Sequence, residues 1–165
     1  MKEIQTNHNK EGVLASDEYY TPIEFVKALG DFDLDPCVPI NMKNKTASVM
    51  YNKEDDGLKQ DWFGRVWLNP PYSAALIAPF MKKMAEHGNG IALILPKFGT
   101  KLFRDWVYPY ADGIFVLRHR IKFFNEDWVQ QKSPIASSIL VAYGKDNIEA
   151  INNSGIEGVM LYLKK

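Results

Sequence analysis

Apolar residues along this chain follow two rhythms. Some form short continuous runs: Arg65-Val66-Trp67-Leu68, Gly90 through Pro96, Ile114-Phe115-Val116-Leu117, Ser138 through Tyr143 and Val159 through Leu163. Runs of this length, bounded by Gly, Pro or polar residues, read as strands, and the run from Gly90 as one buried on both faces of a parallel sheet. Elsewhere the spacing changes to three and four. Leu76, Ile77, Phe80, Met81 and Met84 share one face of a helix over residues 73–87, closed by Gly88. Pro79 inside it predicts a kink or a later start. Ile23, Phe25, Val26 and Leu29 predict a helix with Thr21 as its cap, Pro22 at its first position and Gly30 at its end. Shorter helices are expected over residues 101–107 and near 147–152. Phe32-Asp33-Leu34-Asp35 alternates like a strand and stops at Pro36. Residues 38–53 read as a long loop with one short strand, Ser48-Val49-Met50-Tyr51.

Strands alternating with helices predict an α/β layer fold with a mostly parallel sheet. Ligands in such sheets bind beyond the carboxyl ends of the strands. The length of 165 residues fits one domain. Residues 1–16 read as a polar N-terminal arm and 17–165 as the domain proper, in which 118–134 interrupts the regular pattern.

Composition narrows the picture in three places. Cys37 is the only cysteine, so an internal disulfide and a Cys cluster for zinc are both excluded. That suits a reducing cytoplasm. The polar start lacks the apolar stretch of a secretory signal, and no apolar run approaches the ~18 residues that cross a membrane. The formal net charge is zero, which argues against electrostatic coating of a duplex and leaves room for a local basic patch. The best candidate patch is Arg118-His119-Arg120-Ile121-Lys122-Phe123-Phe124, where cations stand beside aromatics. A solvated edge strand with alternating charges has the same look. His8, His87 and His119 are assigned no role, and no metal site is proposed.

The most informative residues are Asn69-Pro70-Pro71-Tyr72, between a predicted strand and an amphipathic helix. A planar exocyclic amine is a poor nucleophile, because its lone pair is delocalised. Two acceptors aimed at its hydrogens help it become tetrahedral and stabilise the developing positive charge. The Asn69 side-chain oxygen is one such acceptor, and the Pro70 carbonyl is the second. Pro70 and Pro71 carry no competing N–H and have a fixed φ. Tyr72 offers a flat face for stacking, worth about 1–3 kcal/mol per base. From four residues alone, a tight turn accounts for the pattern equally well.

Several further pieces stand in order with the tetrapeptide. They are Tyr19-Tyr20-Thr21-Pro22, Asp33-Leu34-Asp35-Pro36-Cys37, Asp55-Asp56-Gly57-Leu58 with Asp61-Trp62, Leu95-Pro96, and Arg120-Ile121-Lys122-Phe123. With them the chain resembles the small phage-type (Dam-like) DNA N6-adenine methyltransferases over roughly residues 19–143. The resemblance implies a Rossmann-like, S-adenosylmethionine-dependent methyltransferase fold in a single compact domain. It implies a site-specific enzyme that methylates N6 of adenine in DNA, with the base flipped out of the helix.

Site residues are implied likewise. Tyr20, Thr21 and Pro22 would lie near the methionine end of S-adenosylmethionine. Asp35 resembles the acid near its ammonium, and Asp56 the acid near its adenine amine. Phe123 resembles the aromatic beside the flipped base, with Arg118, Arg120 and Lys122 on the DNA. Two departures stand out: residues 37–42 contain no glycine where many methyltransferases have a glycine-rich loop, and His119 stands where a glycine is expected. The residues themselves leave other planar amines open (an RNA adenine, cytosine N4 or a protein glutamine), as well as a non-catalytic nucleic-acid-binding module.

Overall fold

The computed structural model describes residues 19–132 and 137–163, so the arm at 1–16 and Pro134 lie outside the described residues. Its strands are β1 (Leu34–Asp35), β2 (Val49–Met50), β3 (Val66–Leu68), β4 (Gly90–Ile94), β5 (Gly113–Leu117), β6 (Ile139–Tyr143) and β7 (Gly158–Tyr162). Its α-helices are α1 (Ile23–Ala28), α2 (Ala74–His87) and α3 (Lys145–Asn152), and Phe103–Val107 forms a π-helical turn. All seven strands join one sheet in the order β2-β1-β3-β4-β6-β5-β7.

Strand direction corrects the expectation of a mostly parallel sheet. The pairs β1–β2, β1–β3 and β3–β4 are parallel, but β4–β6, β6–β5 and β5–β7 are antiparallel and have the longer registers. The cause is the insertion of β6 between β4 and β5. A continuous apolar run reports only that both faces of a strand are covered, and helices cover both faces of this sheet, so the run of β6 carries no record of its direction. The consequence matters for function. Strands β1, β3, β4 and β5 run the same way, so the segments beginning at residues 36, 69, 95 and 118 leave the sheet at one edge.

Each strand divides its side chains between two cores. Val66, Leu68, Ala92 and Ile94 face α2 and the π-helical turn, where Phe80, Met81, Met84 and Phe103 are buried. Trp67, Ile91 and Leu93 face the other way, onto Val26 of α1, Leu29 just after it, and Ile148 and Ile151 of α3. Full burial of each Val, Leu, Ile, Phe or Met among them contributes about 1.5–3 kcal/mol. α2 runs through Pro79 without ending, and Gly88, at φ 75°, takes the left-handed position that closes it. Arg65 ties the opposite edge together. Its guanidinium donates to Asn147 Oδ1 (2.7 Å), Asp31 O (2.9 Å) and Leu29 O (2.8 Å).

The start of α1 also differs from expectation. Pro22, not Thr21, occupies the cap position, and no side chain caps the helix. The Thr21 hydroxyl is turned to the functional edge instead.

Candidate active site

Asn69 is the first residue after β3, and Pro70 and Pro71 cannot donate to a continuing ladder. The side-chain amide of Asn69 is held in one orientation. Its Nδ2 donates to Tyr19 O at 2.9 Å and to Thr21 Oγ1 at 3.2 Å. A backbone carbonyl can only accept, so the amide nitrogen must face Tyr19 and the oxygen must face away. That oxygen accepts a long hydrogen bond, 3.3 Å, from the Tyr72 hydroxyl and keeps a lone pair free. The Cys37 thiol donates to the backbone carbonyl of Asn69 at 3.2 Å. Burial, with Tyr19 and Cys37 alongside, holds the Tyr72 phenol above its ordinary range, so the hydroxyl stays protonated and remains a donor.

Beside this amide lies a cleft of about 310 Å³, bounded by Tyr19, the turn at 36–39, the turn at 52–58, Asn69 to Pro71, and Leu76 and Phe80 of α2. That volume is at the lower end of small-molecule sites. Asp35 lies beneath the first of these turns and is only 3% exposed. One carboxylate oxygen accepts from the Thr46 hydroxyl at 2.5 Å and the other from the Cys37 N–H at 3.2 Å. Burial outweighs both bonds and pushes the Asp35 pKa up to about 7. The residues it positions, Pro36 and Cys37, form the cleft wall.

Asp56 lines the cleft directly from a left-handed backbone position, φ 52°. Its carboxylate accepts from Lys59 Nζ at 2.8 Å, and that hydrogen bond holds it below the usual carboxylate range. Gly57 follows for a steric reason. A Cβ there would lie 1.9 Å from the Pro36 carbonyl oxygen, so only glycine lets the two turns close on each other. The second turn is clamped from behind: Trp62 Nε1 donates to Gly57 O at 2.8 Å, and Lys83 Nζ donates to Leu58 O and Gln60 O at 2.7 and 2.5 Å.

Gly57→Ala is therefore expected to cost about 1–3 kcal/mol through overpacking against backbone. For a domain of this size that is a fall of about 2–12 °C in Tm, with weaker ligand binding in the cleft. Thermal melts with and without ligand check it; unchanged values in both would show that the turns do not meet as described.

The remaining sequence candidates are distributed around this core. Tyr20 is fully buried, with its ring against Trp128 at 5.2 Å and its backbone bonded to Phe124 in both directions. Its neighbour Tyr19 faces the cleft. Phe123 is 4% exposed and stands behind Tyr19, ring edge to ring at 5.5 Å, while Tyr19 also meets Tyr72 at 5.3 Å. Pro22, Arg120 and Lys122 line a separate shallow hollow. Arg118 and His119 lie 3.4 and 3.5 Å from Glu157.

The residues missed from sequence are Tyr19, Cys37, Thr46, Gly57, Trp62 and Lys83. Four of them stand inside the quoted motif pieces, where contacts with distant segments decide which residue meets the cleft. Thr46 and Lys83 carry no local signal, since each acts on a partner distant in sequence.

The chain is thus an α/β protein with a cleft at the carboxyl edge of its parallel strands and the oriented Asn69 amide on the cleft's rim. It belongs to the DNA N-6-adenine-methyltransferase (Dam) family, which it matches over residues 8–153. It is 39% identical over 90 residues to a DNA N-6-adenine-methyltransferase of Escherichia phage T1, a match covering 48% of this chain and 36% of that protein. The aligned part thus spans little more than a third of this relative's length. No solved structure matches the chain significantly. Among the described residues, no helix is long and apolar enough to cross a membrane, and no group of three or more His, Cys, Asp or Glu is placed to hold a metal ion.

Proposed function

We propose that this chain transfers a methyl group from S-adenosylmethionine to N6 of an adenine in DNA, on a Rossmann-like methyltransferase fold. The observation that carries the reading is the Asn69 amide. Acceptors on its nitrogen side leave Oδ1 as a fixed acceptor at the rim of a small-molecule cleft. The residues around the cleft fit the proposed donor. An apolar pocket is bordered by Asp56, a carboxylate suited to an adenine amine, and Gly57 next to it lets the Pro36 turn close against this one. Asp35 serves the ammonium end by holding the Pro36-Cys37 wall, with its buried carboxyl as the nearby acid. When bound, S-adenosylmethionine supplies an electrophilic methyl group.

The protein's part is orientation and electrostatics. The flipped adenine places one N6 hydrogen on Asn69 Oδ1 and the other on the Pro70 carbonyl, as the amine becomes tetrahedral. Tyr19 and Tyr72 supply ring surface beside the base, with Phe123 supporting Tyr19. Transfer would break the methyl–sulfonium bond, leave the donor as a neutral thioether and release one N6 proton to solvent, so a strong general base is not required. Arg118, Arg120 and Lys122 leave the same edge and contact the DNA backbone.

The test is incubation with unmethylated DNA and labelled S-adenosylmethionine, followed by digestion to nucleosides. Label in N6-methyladenine is the expected result. Label in N4-methylcytosine, in RNA or in protein glutamine would move the activity to another planar amine. Absence of transfer to any of them, with the cofactor bound, would sink the enzymatic reading.

A further inference from the structure

The loop that leaves β4 carries a cationic and aromatic surface that the cleft does not use. β4 lies beside β3 in parallel register, Leu68 opposite Ala92. Residues 95–100 therefore leave the sheet at the same edge as the Asn69 turn, one strand spacing away, about 5 Å. Its own hydrogen bonds hold the loop in shape. Thr100 donates to Lys97 O through both its N–H (3.1 Å) and its hydroxyl (2.8 Å), and Tyr108 OH donates to Phe98 O at 2.7 Å.

On this scaffold Phe98 is 41% exposed, its ring propped edge-on against the buried Phe103 at 5.4 Å. Lys97, Lys101 and Arg104 are exposed around it. Tyr108 continues the aromatic surface at 38% exposure, along a π-helical turn of the kind that concentrates at functional sites. The only acid between residues 95 and 111 is Asp105, 4.0 Å from Lys101 in an exposed pair that binds weakly.

In a chain of zero net charge, such a cluster is a local feature and not a general basic surface. Exposed cations around an exposed ring are what a polyanion with stackable bases requires. The surface also has a definite place. Phe103 belongs to the α2 side of the sheet, whereas Ile121 and Phe123 belong to the α1 and α3 side. The 97–108 surface and the 118–124 segment thus flank the Asn69 turn from opposite faces.

We infer that residues 97–108 form a second nucleic-acid contact, with Lys97, Lys101 and Arg104 on phosphates and the Phe98 ring stacked on a base beside the extruded one. The inference rests on DNA being the substrate. An aromatic ring at that position fills or supports the step unstacked by base flipping.

The test measures binding of an unmethylated duplex by fluorescence anisotropy over a range of salt, with methyl transfer and the cofactor-induced thermal shift measured in parallel. Phe98→Ala is expected to weaken DNA binding about tenfold, and Phe98→Trp to restore it. The combined Lys97→Ala, Lys101→Ala, Arg104→Ala variant is expected to reduce the slope of log affinity against log salt by about 2–3, since each phosphate contact contributes about 0.9. All these variants keep the cofactor-induced shift of the parent. A parent that methylates DNA, alongside variants that bind DNA as it does, overturns this contact alone. A parent that neither binds nor methylates DNA overturns the choice of substrate, and the contact with it.

Discussion

Asn69→Ala is expected to lower the rate of methyl transfer by about 10²–10³-fold, the range seen when one preorganised partner of a developing charge is removed. The effect belongs in kcat and only weakly in cofactor affinity, because the interaction strengthens as N6 becomes positive. The fold should survive. Asn69 is partly exposed, and water can replace its amide at the Tyr19 carbonyl. Asn69→Asp is informative beside it. A carboxylate keeps the acceptor but places an oxygen against the Tyr19 carbonyl, so a smaller loss than for alanine is expected. Single-turnover transfer of labelled methyl to DNA measures both, and an alanine variant with the parental rate would remove Asn69 from the mechanism.

Asp35→Asn is expected to change the pH dependence of stability. In the unfolded chain this carboxyl has its ordinary pKa of 3.8, and in the folded protein burial pushes it up to about 7. Between those values the unfolded state releases a proton that the folded state retains. The carboxyl's contribution is therefore complete below about pH 4 and is lost as the pH rises to about 7. Three pKa units at 1.36 kcal/mol each make that loss roughly 4 kcal/mol. Asparagine removes the titration and still fits. Its oxygen accepts from the Cys37 N–H, its nitrogen donates to the Thr46 oxygen, and the Thr46 hydroxyl turns to Met50 Sδ, 3.4 Å away.

Denaturant melts from pH 4 to 8 should show the parent losing stability across that window while the variant changes little. Parallel curves would place the Asp35 titration outside it. If Asp35 also serves the cofactor's ammonium, affinity for S-adenosylmethionine should rise with pH through about 7 in the parent and stay flat in the variant.

Local features of this protein were open to reading from its sequence because their causes are local. The apolar spacing from Leu76 to Met84 and the left-handed Gly88 define α2. Five consecutive buried positions define β4. Asn-Pro-Pro-Tyr, with a strand before it and a helix after it, sits at the sheet edge that the spacing implied.

Contacts between distant segments decided the rest. Chain direction in the sheet depends on β6 lying between β4 and β5, and a strand buried on both faces carries no sign of that. Which of Tyr19 and Tyr20 meets the cleft depends on the pairing of Tyr20 with Phe124, more than a hundred residues away. Thr46 matters because it meets Asp35, Lys83 because it meets the 58–60 backbone, and Gly57 because Pro36 leaves no room for a Cβ. The sequence by itself determined the elements, the edge and the chemical character of the Asn69 turn, since spacing, fixed φ and side-chain type are properties of neighbouring residues. Only the tertiary structure decided how the Asn69 amide is oriented and what walls the cleft beside it, since hydrogen bonds and van der Waals contact act through space between residues the chain keeps far apart.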